Sequence, residues 1–387
     1  MDAPIAVISP VPPAETGVAD FSNLIFGSDC RFELYDSQSL DIQEFMGRMQ
    51  RRVHAAVVFC LGNSAHHINT LRLISSLQGY PRGACKLFLH LHEPVLDGLA
   101  SAYRMAALRI HESTALSAND SLASEINPRD GGVSVLRALS ARTSFAGVLV
   151  HSARARSLVE NIVGNQLSQA QPPVCVLTHP CFDLPGPNHI PMAERCYDVG
   201  VFGLLDNENK ATNLAIQAVL EARRQGIVKR ALLCGFNAAE YRRSNREAQD
   251  PMFETVNAPP RHKMLERMGQ TRVALQLRAE DRGESSGVLP MLLSCSTPVI
   301  VSNLSSIADE SFAAVRTVEN AEVLSAFPTL YRQLCALDVG TAYREFHLSR
   351  QPEAFRENFI AWMLRMGATL PKERGIGMID HRSLRQP

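Results

Sequence analysis

Short apolar runs alternate along the chain with amphipathic stretches. In the first half the runs fall at 5–9, 55–60, 86–90, 147–151 and 174–178. Their length and branched side chains predict strands. Between them, 69–77, 99–116 and 153–163 carry apolar residues at helical spacing. The strand runs are apolar throughout instead of alternating with polar residues. That pattern predicts an α/β fold of parallel sheets covered on both faces by helices.

The alternation breaks at 180–194, PCFDLPGPNHIPMAE, where four prolines fall within fifteen residues. Proline fixes its own backbone and disfavours helix just before it, so this stretch predicts a linker. The pattern then restarts. Strands are predicted at 198–202, 230–234, 273–277 and 298–301, and helices at 210–224 and 286–294. The segment 236–261 is polar and weakly periodic, which predicts a loop with short helical turns. Phe355, Phe359, Trp362 and Met363 share one helical face in the tail 352–366, a closing helix. The expected division is 1–185 and 186–345 as two Rossmann-like domains, with 346–387 packing back on the first. A ligand cleft is expected between them.

A length of 387 residues suits two such domains. Lys+Arg and Asp+Glu are both 39. The first 185 residues hold 14 basic and 16 acidic groups, leaving 25 and 23 for the rest. A protein gripping nucleic-acid phosphates would show a marked basic excess, and neither part is strongly basic. No apolar run is long enough to span a bilayer, and the first residues lack the basic start of a signal peptide. Nine scattered cysteines without a Cys-x-x-Cys pair fit reduced thiols. These features predict a cytoplasmic chain. His66 and His67 are adjacent and His90 and His92 alternate, but neither pair comes with a third and fourth ligand nearby in sequence, so no metal site is predicted.

The segment 273–310 is the most informative. A buried run ends at Leu277; Arg278, a charged loop, Gly283-Glu284-Ser285-Ser286-Gly287 and an apolar helix follow. Small residues let a ligand approach the backbone, and amides at a helix start favour an anion. With Arg278 nearby, the site suits a diphosphate, with Glu284 accepting from sugar hydroxyls. Only five of the basic residues are lysines, which draws attention to Lys210 in its loop. The dinucleotide glycine fingerprint and the P-loop are absent. GESSG formally matches Gly-x-Ser-x-Gly, with Ser285 as nucleophile and Asp309 and His347 following in order. A nucleophile elbow, however, needs the strand to enter the turn directly, and residues 279–282 intervene.

These residues resemble the donor-site region of glycosyltransferase family 4. The matching positions are Arg278, Gly283 to Gly287, the Pro-Val-Ile-Val run at 298–301 and Glu310. PPAETGVADFS resembles that family's first glycine loop, with Thr16, Gly17 and Asp20. CLGNSAHH and LHLHEPVL resemble segments of one branch, the latter with His92 then Glu93. FGLLDNENK resembles the loop opening the second domain, with Gly203 and Lys210. The resemblance implies a GT-B fold and retaining, metal-independent transfer from a nucleotide sugar, with no permanently bound cofactor. It assigns Glu284 and His92 to catalysis. Lys210, Arg278, Gly203, Ser285, Ser286, Gly287 and Glu310 would bind the donor, and Thr16, Gly17 and Asp20 would face the acceptor or diphosphate.

Glycan, lipid-linked or other glycoconjugate acceptors are the expected partners, in bacterial surface polysaccharide synthesis. Peripheral membrane contact could involve Arg48, Arg51, Arg52, Arg104 and Arg109. The chain departs from the family pattern in two places. Met291 and Leu292 stand where a second acidic residue is usual, and Leu204 stands where an arginine often follows the glycine. Those departures motivate an alternative, a non-catalytic GT-B protein that binds a nucleotide sugar or a partner chain.

Overall fold

The computed structural model describes residues 3–14, 16–77, 85–113, 122, 125–126, 130, 132–164, 172–181, 190–284, 286–308 and 310–368. Six strands form the first sheet: β1 Ile5–Ser9, β2 Phe32–Asp36, β3 Ala56–Leu61, β4 Lys86–Leu91, β5 Gly147–Val150 and β6 Val174–Val176. Their spatial order is β2-β1-β3-β4-β5-β6, and every pair is parallel. Helices α1 Gly17–Phe26, α2 Ile42–Gln50, α3 Ile68–Ser76, α4 Asp97–Ser113, α5 Val133–Arg142 and α6 Ala153–Gly164 connect them.

The second sheet repeats the plan. Its strands are β7 Tyr197–Phe202, β8 Ala231–Gly235, β9 Phe253–Asn257, β10 Thr271–Gln276, β11 Val299–Ser302 and β12 Val315–Val318. They are ordered β12-β11-β10-β7-β8-β9, again all parallel. Helices α7 Thr212–Arg224, α8 Ala238–Ser244, α9 Arg261–Gly269, α10 Val288–Ser294 and α11 Val323–Cys335 belong to this half. Two more, α12 Val339–Ser349 and α13 Pro352–Arg365, complete the described chain.

Alternate residues of each central strand enter different cores, which explains the unbroken apolar runs. In β1, Ala6 and Ile8 join one cluster while Ile5 and Val7 join another. The second of these clusters also contains Phe355, Phe359, Trp362 and Met363 of α13. The last helix therefore covers one face of the first sheet. Phe359 is fully buried there, and burying such a side chain contributes about 1.5–3 kcal/mol.

Several expectations are corrected. The segment 236–261 is not mainly loop: it holds α8 and the strand β9. The helix expected from Lys210 starts at Thr212, because Glu208–Lys210 forms a separate 3-10 turn and Ala211 takes a left-handed conformation at φ 45°. The helix expected from residue 286 starts at Val288. Strands β2 and β12 and helices α1, α2, α5, α9, α11 and α12 have no counterpart among the expected elements.

Candidate active site

In open parallel sheets, ligands bind beyond the carboxyl ends of the strands. The loops that leave those ends here meet across a crevice between the two halves. Gly203 follows β7, Arg278 follows β10, and His92 and Glu93 follow β4. Gly203 has φ 110° and Gly235, at the end of β8, φ 147°. A Cβ on Gly235 would lie 1.9 Å from the Gly203 carbonyl oxygen, so the two strand ends can approach only as glycines.

Three predicted residues converge. Lys210 Nζ donates to Glu284 Oε1 at 2.7 Å, and Arg278 Nε lies 3.2 Å from Glu284 Oε2. The supporting groups were not legible as site residues. The Arg278 amide donates to Ser302 Oγ at 2.9 Å, and Asn320 donates to the Arg278 carbonyl at 2.8 Å. Asn209 accepts from the amides of Ala279 and Glu280, both at 2.9 Å, which ties the Lys210 turn to the strand end that carries Arg278. Asparagine in the DNENK loop was the available signal.

Electrostatics divide the carboxylates. Burial alone would raise the Glu284 carboxyl, but Arg278 and then Lys210 outweigh it and hold it down to about 2. Burial and the charge of Arg278 lower the Lys210 ammonium, against the pull of Glu284. Glu93 behaves oppositely: burial, then the negative charge of Glu284, push it up to about 8. At neutral pH the crevice thus presents a charged carboxylate, two cations and a protonated carboxyl able to donate. Glu93 was noticed beside His92 but not assigned a role.

His92 does not stand alone. His90, His92, His151 and His179 are all buried, and the Phe21 ring packs edge-on to each, with centroids 4.8–5.3 Å apart. Burial lowers all four imidazoles, so they are neutral. His92 Nε2 has no hydrogen-bond partner.

The remaining predicted residues spread along the crevice. Ser286 and Glu310 line a small pocket with His151, His179, Phe346 and Arg350. The Ser286 hydroxyl is buried without a partner, and Glu310 is ion-paired to Arg350. Gly287 precedes α10, whose seven residues give only a short dipole. Thr16 caps α1 by accepting from the Val18 amide, and a Cβ on Gly17 would meet open space. Asp20 lies 3.7 Å from Arg261 of the second half. Ser285 and Asp309 lie outside the described residues; His347 Nδ1 is 3.6 Å from Cys181 Sγ. Met291 and Leu292 belong to α10 and are buried in the core of the second half, while Leu204 is exposed. Arg48 is engaged by Glu33 at 2.8 Å and by the Tyr35 ring.

No family model matches the chain, and no curated protein matches it. Solved structures do. Sucrose-phosphate synthase from Thermosynechococcus elongatus is similar over 94% of this chain and 99% of its own, with TM-score 0.63 and 13% identity. A UDP-forming α,α-trehalose-phosphate synthase from Burkholderia xenovorans is similar over 95% and 100%, with TM-score 0.57 and 10% identity. An α-glucosyltransferase solved with UDP-glucose and DNA covers 93% and 99%, with TM-score 0.56 and 11% identity. The fold is GT-B. No helix among the described residues is long and apolar enough to cross a membrane.

Proposed function

We propose that this chain is a retaining glycosyltransferase that takes its sugar from a nucleotide sugar. The observation that carries the reading is the Lys210–Glu284–Arg278 cluster at the mouth of the Gly203 loop. A carboxylate held between two cations is a poised anion site: a diphosphate can take over both cations and free Glu284 for the sugar. As the bond from sugar to diphosphate stretches, negative charge grows on the phosphate. Lys210 and Arg278 stabilise it in a crevice poor in water. Glu284 accepts from a sugar hydroxyl and fixes the ring. Protonated Glu93 donates to a second oxygen, and His92 contacts the sugar from the first half. No resident metal is part of this reading, because the two side-chain cations carry the charge.

Uridine nucleotides are the first donors to test, since fold neighbours are UDP-forming or were solved with UDP-glucose. The acceptor we propose is a glycan, lipid-linked or other glycoconjugate of a bacterial surface, reached through the α1 face bearing Thr16, Gly17 and Asp20. Membrane contact, where it occurs, is peripheral. A thermal-shift screen of nucleoside diphosphates and nucleotide sugars tests the donor site, because a ligand bound to the folded state raises its melting temperature by mass action. Selective stabilisation by one nucleotide, lost in Lys210→Ala, is the expected result. No nucleotide shifting the wild type would overturn the reading. The loss of an acid at Met291 and Leu292 favours a second reading, a nucleotide-sugar binder without turnover. Tight binding with neither transfer nor hydrolysis against a panel of acceptors would select it.

A further inference from the structure

The histidines of the first half hold an arrangement that their sequence spacing hides. Cys60 on β3 and His90 on β4 are direct partners in the parallel register. His92 lies just past the end of β4, and its ring centroid is 4.3 Å from that of His90. Cys60 and His90 are fully buried and His92 nearly so, and one ligand atom from each lies within 4.8 Å of the other two. Cys60 supplies the third ligand that a pairwise reading of the histidines lacked, because it comes from a neighbouring strand thirty residues away.

A hydrogen-bonded chain fixes which nitrogen of His90 is free. His151 Nδ1 lies 2.8 Å from the Leu177 carbonyl, which can only accept, so that nitrogen carries the proton. A neutral His151 therefore accepts at Nε2, and His90 Nε2, 3.0 Å away, donates to it. His90 Nδ1 is left with a bare lone pair facing Cys60 Sγ at 3.7 Å. Tetrahedral zinc, with bonds of about 2.3 Å to sulfur and about 2.0 Å to nitrogen, separates those two atoms by about 3.5 Å. The N–H of His90 directed at a second acceptor is the outer support that metal-bound imidazoles usually have.

We propose that Cys60, His90 and His92 form a zinc site in the first domain, beneath the crevice. Thiolate and imidazole are the ligand types that borderline ions such as Zn2+ select over Mg2+ or Ca2+. Binding forms a Zn–S bond as the Cys60 thiol loses its proton to solvent, so each ion bound releases one proton. Imidazole has two distinct nitrogens, so His92 can hold the ion with one and keep the other for the crevice. The site does not depend on the glycosyl-transfer reading: a protein inactive toward every nucleotide sugar could still bind the ion.

The test uses the full chain without a polyhistidine tag, stripped with chelator and titrated with Zn2+ and with Co2+ as an optical stand-in. Expected are one equivalent bound, a thiolate-to-cobalt charge-transfer band, and a rise in melting temperature with Zn2+. Cys60→Ala should lose the band, the stoichiometric binding and the rise. A folded wild type that binds neither ion, or that binds cobalt without a thiolate band, would overturn the site with no variant needed. Equal binding by Cys60→Ala would overturn it as well.

Discussion

Glu284 is shared by two cations, and a diphosphate arriving beside them competes with it for both. Glu284→Gln should therefore act in opposite directions on binding and on stability. Without the carboxylate, Lys210 and Arg278 face each other unpaired, and breaking a buried charged cluster costs about 3–5 kcal/mol. The melting temperature of the free variant should drop, and a nucleoside diphosphate should restore more of it than in the wild type. Nucleotide affinity should rise, by up to about tenfold, while transfer falls at least about a hundredfold. Isothermal titration and a product assay check both. Lys210→Ala removes a hydrogen bond to a charged group, worth about 1.5–3 kcal/mol, so its nucleotide affinity should fall by about tenfold to about 150-fold.

Glu93 gives a pH signature at the same scale. Its ordinary carboxyl value is 4.5, and in the fold it stands at about 8. Between those values the folded protein holds a proton that the unfolded chain has lost, so stability falls as pH rises through the window. Glu93→Gln stays neutral throughout. Its melting temperature should match the wild type near the bottom of the window and exceed it near the top, and a melt series in buffers across it measures the divergence. Equal slopes for the two proteins would mean that Glu93 is ionised in the fold.

At the scale of elements, α13 carries a prediction of its own. Phe359 is fully buried, with its ring centroid 5.7 Å from Phe26, 6.2 Å from Phe355 and 6.0 Å from Trp362. Phe359→Ala leaves a cavity between the helix and the first sheet, at a cost of about 3–5 kcal/mol. Urea unfolding measures it, and Trp362, the chain's single tryptophan, reports whether the helix has left the sheet. That helix was readable in advance because its four apolar positions repeat with helical period. The central strands were readable because each is buried on both faces.

The strands that were not legible share a physical cause. Strands β2, β9 and β12 are sheet edges. FELYD, FETVN and VRTV mix polar with apolar residues, because an edge strand is only partly covered. The site was legible where a charged residue sat in a glycine-rich loop, as with Lys210, Arg278 and Glu284. It was not legible where the residue's part is to hold another. Ser302, Asn320 and Asn209 are ordinary polar residues until the fold brings them to the backbone around Arg278. Cys60 and His90 lay in different apolar runs and became neighbours only through strand register.

For the whole molecule the question is what holds the crevice shut. Arg282 of the second half reaches Asp97 of the first at 3.0 Å, and Arg154 reaches Asp281 at 3.3 Å. Such partly exposed pairs are worth about 0–1 kcal/mol each and are screened by salt. Packing adds a closer constraint: a Cβ on Gly283 would come within 2.9 Å of Leu158, 3.0 Å of Ala155 and 3.2 Å of Pro94. Closure is thus sterically close but held by weak forces, so the halves can part and reclose. Arg282→Glu tests this balance. It turns an attraction into repulsion against Asp97 and leaves Lys210 and Arg278 in place. Nucleoside diphosphate affinity should stay within about threefold of the wild type. The turnover rate should fall by about tenfold, and small-angle scattering should show a larger radius of gyration in the nucleotide complex. An unchanged radius with unchanged turnover would mean that the Arg282–Asp97 pair does not set closure; Gly283→Ala, which acts on the packing contact, would then be the next variant to open the crevice.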